Sequence, residues 1–238
     1  MKRRILTLIF MILGLCAYGQ PEHPGLPALG NTLSELIPSG WRILSSSSGD
    51  LNKDGIEDIA FAIQNTLQKN LQPNDGLGID TIDLNPRILG IYFGKSDGTF
   101  EKKLQSNTFI ILQDSPTMDE PFDSLQILSN GVLQIDFHFW FSAGSWYISN
   151  HQYKFRFQNE AFELIGYESS ETHRATQKTT NHSINFSTRK MSITTLVFDE
   201  ETEKEITTEE WKKFELQNLK SIQSLGKPFE WKFQEIMI

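Results

Sequence analysis

The stretch Gly49–Gln64, GDLNKDGIEDIAFAIQ, decides how this chain is read. It opens with Asp50, Asn52, Asp54, Gly55 and Asp58 in the pattern D-x-N-x-D-G-x-x-D. Oxygen-bearing side chains at every second position let a tightly wound loop turn them toward one centre. Glycine at the sixth position permits the sharp turn, and Ile56, at the seventh, offers its carbonyl. Carboxylates, an amide oxygen and a carbonyl are hard donors that suit Ca²⁺ better than zinc or copper. A helix-flanked calcium loop would place a bidentate acid at position twelve. That position is Phe61, and the chain runs through Ile59, Phe61 and Ile63 with the alternation of a strand. The expectation is therefore a strand-flanked calcium loop with Asp50, Asn52, Asp54, Ile56 and Asp58 as ligands.

Further along, RILGIYFGKSDGTF (87–100) reads as a second strand that ends in a turn at Gly94, Asp97 and Gly98. The loop, its strand and this second strand together resemble one unit of the FG-GAP and VCBS-type repeats of integrin-like β-propellers and bacterial secreted proteins. The resemblance covers roughly residues 41–101. It implies that Asp50, Asn52, Asp54 and Asp58 are cation ligands and that the unit serves a structural or adhesive purpose. The unit occurs once, and an insertion from Thr66 to Asn85 separates its strands, so a complete propeller is not expected. That insertion carries Asp75, Asp80 and Asp83, which read as a solvated acidic loop; a second cation site there fits no recognisable spacing.

The first nineteen residues read as an export signal. Lys2, Arg3 and Arg4 precede an apolar run, Ile5 to Cys16, too short to span a bilayer, and Ala17-Tyr18-Gly19 supplies a small-residue cleavage site before Gln20. Leu13-Gly14-Leu15-Cys16 half resembles a lipobox, which leaves lipid anchoring through Cys16 as the alternative. Removing three basic residues from 22, against 30 acidic ones, leaves the mature chain at about −11. Such a charge with no basic stripe argues against nucleic acid. Cys16 is the sole cysteine, so neither a disulfide framework nor thiol chemistry is expected after processing. The localisation that follows is periplasmic or secreted, with no membrane span after the signal.

Residues 20–30, with Pro21, Pro24 and Pro27, read as an extended leader, and 31–238 as one β-rich domain. Thr32 to Glu35 has capping-box spacing for a short helix that ends before Pro38. Strands are expected at 41–44, 87–93, 108–113, 125–129, 132–141, 146–158, 162–168, 183–187 and 190–197, punctuated by turns such as Asn130-Gly131. Thr207 to Glu210 could cap a helix carrying Leu216, Leu219, Ile222 and Leu225, with a last strand from Phe229 to Phe233. The fold class is mainly β: an antiparallel meander or sandwich, or a partial propeller-like sheet, with one or two short helices.

Chemistry has one further candidate. Along 132–141, period two puts Asp136, His138 and Trp140 on one strand face, where a carboxylate, an imidazole and an indole could line a ligand site. The segment continues into Ser142 to Tyr147, suited to a shallow sugar or peptide cleft. No nucleophile elbow, zinc-protease helix or phosphate-binding glycine loop is present. His151, His173 and His182 read as scattered surface residues, and a set of Ser145, His173 and Asp136 is an arrangement that chance readily supplies. Asp119-Glu120 reads as solvated turn chemistry. The expected function is an exported calcium-binding β-domain that binds a protein or glycan without catalysis; the alternative is an extracytoplasmic hydrolase or lyase using Asp136 and His138.

Overall fold

The computed structural model describes residues 23–199 and 202–238. The expected signal peptide, Cys16 and the first residues of the leader lie outside the described residues. Two antiparallel sheets carry the fold.

The first sheet grows from the loop's own strands. β1 (Leu29–Gly30) precedes a single-turn helix α1 (Leu33–Leu36), then come β2 (Trp41–Gly49) and β3 (Asp58–Asn65). A small hairpin, β4 (Leu71–Pro73) with β5 (Thr81–Asp83), fills the insertion, and β6 (Arg87–Gly94) and β7 (Phe100–Ser106) follow. The order is β1-β7-β6-β3-β2. The second sheet is a pure meander of β8 (Phe122–Ile127), β9 (Val132–Phe139), β10 (Tyr147–Gln158), β11 (Ala161–His173), β12 (Thr179–Asn185), β13 (Lys190–Asp199) and β14 (Lys204–Lys213), each beside its sequence neighbour. A short helix α2 (Ile222–Leu225) and the terminal pair β15 (Lys232–Phe233) and β16 (Ile236–Met237) close the chain.

The alternating pattern of β3 explains how the layers stack. Ala60 and Ala62 face the core shared with the second sheet, which includes Leu89, Ile91, Phe109, Ile135, Tyr153 and Phe155. Phe61 and Ile63 face the other way, into a smaller core with Leu26, Leu36, Ile88 and Tyr92. Burying each such large apolar side chain contributes about 1.5–3 kcal/mol. The leader is therefore not a tether. Leu26 is buried, its N–H donates to Gln105, Tyr92 donates to the Pro27 carbonyl, and Lys102 to that of Leu26.

The serine run settles how the two sheets meet. A first strand confined to 41–44 is corrected: β2 continues through Ser45 to Ser48. Ser45 Oγ accepts from the Leu125 N–H at 3.3 Å and Ser47 Oγ from the Ile127 N–H at 2.9 Å. Hydroxyls of one edge strand thus satisfy the backbone of the other sheet's edge, and both edges are closed without strand pairing.

Three other expectations change. The segment 108–113 is not a strand; Phe109 and Ile110 are buried as irregular chain across the core. The capping box at Thr32 is absent, because Glu35 turns its carboxylate to the Asn31 backbone and side chain instead. The C-terminal helix from Thr207 is overturned: 204–213 is β14, in unbroken register with β13, and the true helix is the four-residue α2 capped by Ser221. Thr, Ile and Trp favour a strand, and pairing with β13 decides in its favour over the weak helical spacing of the leucines.

Two polar groups have buried partners or surroundings that the local sequence does not signal. Glu120 is the bidentate partner of Arg87, at 2.6 and 2.7 Å, and the Arg87 side chain is only 2% exposed. His151 lies under Phe229, its Nδ1 2.7 Å from the Tyr167 hydroxyl and its Nε2 2.9 Å from Ser149 Oγ. Burial, and secondarily His182, holds the His151 imidazole down to about 4.

Candidate functional site

The 50–58 loop joins β2 to β3, so a regular hairpin register delivers both of its ends. Its carboxylates organise its backbone. Asp50 accepts from the Lys53 and Gly55 N–H groups at 2.7 and 2.9 Å. Asn52 Oδ1 accepts from the Asp54 N–H at 3.0 Å while its amide donates to Asp54 Oδ2 at 2.9 Å, and Asp54 Oδ1 accepts from the Ile56 N–H at 2.8 Å. Gly55 has φ +84°, the left-handed region in which its lack of a Cβ carries no penalty.

Asp58 is set apart by burial. Its Oδ2 accepts from Leu51 and Asn52 N–H at 2.8 and 3.3 Å, and its Oδ1 from Gly94 N–H at 2.9 Å. One fully buried carboxylate therefore ties the start of the loop to the end of β6. Gly94 can come this near because a Cβ on it would sit 2.2 Å from the Glu57 carbonyl. Burial pushes the Asp58 carboxyl up, the three backbone N–H bonds pull it back, and the nearby Asp54 charge adds to the rise.

Among the described residues no three His, Cys, Asp or Glu side chains stand together as a metal group. A cation here must therefore draw on the Asn52 amide and the Ile56 carbonyl as well as on the carboxylates. The donor set fits that demand. Every donor in it is a hard oxygen, Asp50 and Asp54 stand at an exposed mouth, and the repulsion of Asp58 by Asp54 is of the kind a divalent cation relieves. The insertion offers no equivalent. Asp83 accepts from the Asn85 backbone and amide, and Asp75 and Asp80 are exposed.

The second candidate set lies on the polar face of the seven-stranded sheet. Asp136, opposite Gln152, accepts from Ser124 at 3.0 Å and from Gln134. His138 is opposite Asn150, with Nδ1 2.8 Å from its Oδ1. Asp136 and Asn150 line a polar groove of about 580 Å³ that Glu168, Ser170 and Asn181 continue, but His138 and Trp140 are not part of its wall. Trp140 lies just past β9, half-buried under the Arg174 guanidinium at 5.6 Å. Asp136 and His138 alternate on β9, then, but the three residues line no single cleft. Ser145, His173 and Asp136 do not form a set either. Ser145 bonds Tyr147, His173 bonds Thr176, and Asp136 is held as above.

The exposed aromatic surface lies at the start of β10. Trp146 is 65% and Tyr147 47% exposed, and both pack on His173, at centroid distances of 6.3 and 5.0 Å. Arg174 fixes this corner by donating to the Ser145 carbonyl. Sequence reading missed His173, Arg174 and Asn150 as members of the site. The signal that could have found them is the two-residue turn Asn159-Glu160, with φ +51° and +59°, which folds β11 back on β10; a bulge at Lys154/Phe155 then shifts the register by one and sets Tyr147 opposite His173.

No family model matches the chain, and no curated protein or solved structure is similar to it. The fold itself defines the class: a mainly β protein of two antiparallel sheets with two short helices. Among the described residues no helix is long and apolar enough to cross a membrane.

Proposed function

We propose that this chain is an exported β-domain whose 50–58 loop binds one Ca²⁺, as in the FG-GAP and VCBS-type unit it resembles, and which binds a protein or glycan without catalysis. The observation that carries the reading is the loop itself: five oxygen-bearing positions in nine residues, with Asp58 fastened to β6 through Gly94. Asp50, Asn52, Asp54, Ile56 and Asp58 would hold the ion, which supplies charge neutralisation and a rigid crosslink between β2 and β3. Hydrolysis or lysis by Asp136 and His138 has less support, because Asp136 is occupied by Ser124 and Gln134 and His138 by Asn150.

Binding to the folded form alone stabilises by about 2.7 kcal/mol at a hundredfold excess over Kd. Melting curves in calcium and in chelator should therefore separate by several degrees, and superimposable curves would refute the loop assignment. The ligand surface follows the exposed aromatics. Trp146 and Tyr147 offer faces for stacking a sugar ring or a peptide side chain, beside the polar groups of the open sheet face. Against a panel of neutral oligosaccharides and peptides, Trp146→Ala should weaken binding by roughly tenfold, about 1.4 kcal/mol, without moving the melting temperature. Retained affinity in that variant would remove the aromatic corner from the binding surface.

A further inference from the structure

The two sheets manage their edges unequally. β2 and β8 close against each other through Ser45 and Ser47, and β7 is partly covered by β1. β14, at the far edge of the seven-stranded sheet, has no strand on its outer side among the described residues, and every one of its ten residues is exposed. It contains no proline and no bulge, and its register with β13 is continuous from Lys204 to Lys213. Trp211 is 65% exposed on it. A long, regular edge with neither proline nor bulge is a template for pairing, and the charges that remain on it, Lys204, Lys212 and Lys213 with Glu205, Glu209 and Glu210, block every partner that does not complement them.

The sequence of the edge names the partner. Residues 209–213 read Glu-Glu-Trp-Lys-Lys. When two identical edge strands pair antiparallel about a two-fold axis, the axis stands perpendicular to the sheet. Facing residues must then share a sheet face, so their numbers sum to an even value. Centring the axis on Trp211 satisfies this. Glu209 then faces Lys213 of the second copy and Glu210 faces Lys212, and symmetry makes each pair twice. The two indoles meet at the axis. Moving the centre two residues back, to Glu209, puts that carboxylate against its own copy, and a centre at Thr208 sets Lys204 against Lys212. Opposite charges directly across a strand pair stabilise it and like charges destabilise it. Lys212 and Glu210 already pair along the strand at 3.2 Å, so their charged ends lie on one face.

We infer that β14 pairs with β14 of a second copy of this chain about Trp211, joining two seven-stranded sheets into one continuous sheet through the self-complementary run 209–213. An interface of this size is small, so association is weak and concentration-dependent.

Sedimentation equilibrium on residues 20–238 tests this. Wild type should shift from monomer toward dimer as concentration rises to about 1 mM, the range in which a weak interface declares itself. K212E/K213E and E209K/E210K should each remain monomeric, while their equimolar mixture should form the heterodimer. The full exchange, E209K/E210K/K212E/K213E, should self-associate again, since it is self-complementary with the signs reversed. Circular dichroism on each variant confirms that an exposed edge has been changed without unfolding. A wild type that stays monomeric, a dimer that survives either half-reversal, or a mixture that fails to associate would each overturn the inference.

Discussion

Asp58→Ala is expected to be the most damaging single substitution in the loop, and its cost should persist with calcium removed. The carboxylate is the shared acceptor for three backbone N–H groups, those of Leu51, Asn52 and Gly94. Alanine leaves them buried without a partner, and each orphaned buried donor costs about 1–3 kcal/mol. A total of roughly 3 kcal/mol or more is a large part of the stability of a domain. Asp58→Asn keeps the shape but turns an N–H₂ toward a donor, so about half of that loss is expected. Asp54→Ala should behave differently. Its exposed carboxylate holds only loop contacts, so the variant should melt like wild type in chelator and lose only the calcium-dependent gain. Urea unfolding of the three variants, with and without calcium, separates the two roles. If the loss in Asp58→Ala vanishes in chelator, its role is ligation alone.

His151 carries the second large effect. It is enclosed by Phe139, Tyr167 and Phe229, with His182 the titratable neighbour, and burial holds it down to about 4. The unfolded chain titrates it near 6.5. Between those values the unfolded state takes up a proton that the folded state refuses, so stability is complete above the upper value and is lost as pH falls. The loss from this group approaches about 3 kcal/mol near pH 4. His182 is lowered by burial too and adds in the same direction. His151→Gln can still bond Tyr167 and Ser149 but does not titrate. The difference in unfolding free energy between wild type and this variant should therefore narrow steadily from pH 7 to pH 4. Parallel curves would show that the acid sensitivity arises elsewhere. The C-terminal segment is the first part expected to loosen, since Phe229 packs on the ring and Tyr167 donates to the Met237 carbonyl.

Much of this architecture could be read from the chain. Period-two runs located β6, β9 and β10, because alternating apolar side chains have to face the shared core. Asn130-Gly131 marked the β8–β9 turn, where the Leu128 N–H donates to the Val132 carbonyl. What escaped was set by partners distant in sequence. The serine run has no hydrophobic pattern, yet it is strand because its hydroxyls cap β8, some eighty residues on. β14 is exposed throughout, so no apolar alternation marks it, and only the pairing with β13 makes it a strand. His151 looked like a surface residue because nothing local signals that the chain's last ten residues fold over it. At the candidate sites, the loop's residue types were legible at once. The division of labour within it was not: the burial of Asp58 depends on Gly94, on a different strand. Trp140 likewise drew attention by its spacing on β9, whereas the exposed indole at this corner of the sheet is that of Trp146, positioned by His173 and Arg174 across the β10–β11 pair.

The proposed calcium site is tested most directly by calorimetric titration of metal-stripped residues 20–238 with Ca²⁺, beside Asp54→Ala. One ion should bind per wild-type chain, and Asp54→Ala should abolish that binding while keeping the β circular dichroism spectrum. Wild type and variant giving the same isotherm, or no heat from either, would contradict a calcium site at Asp50–Asp58.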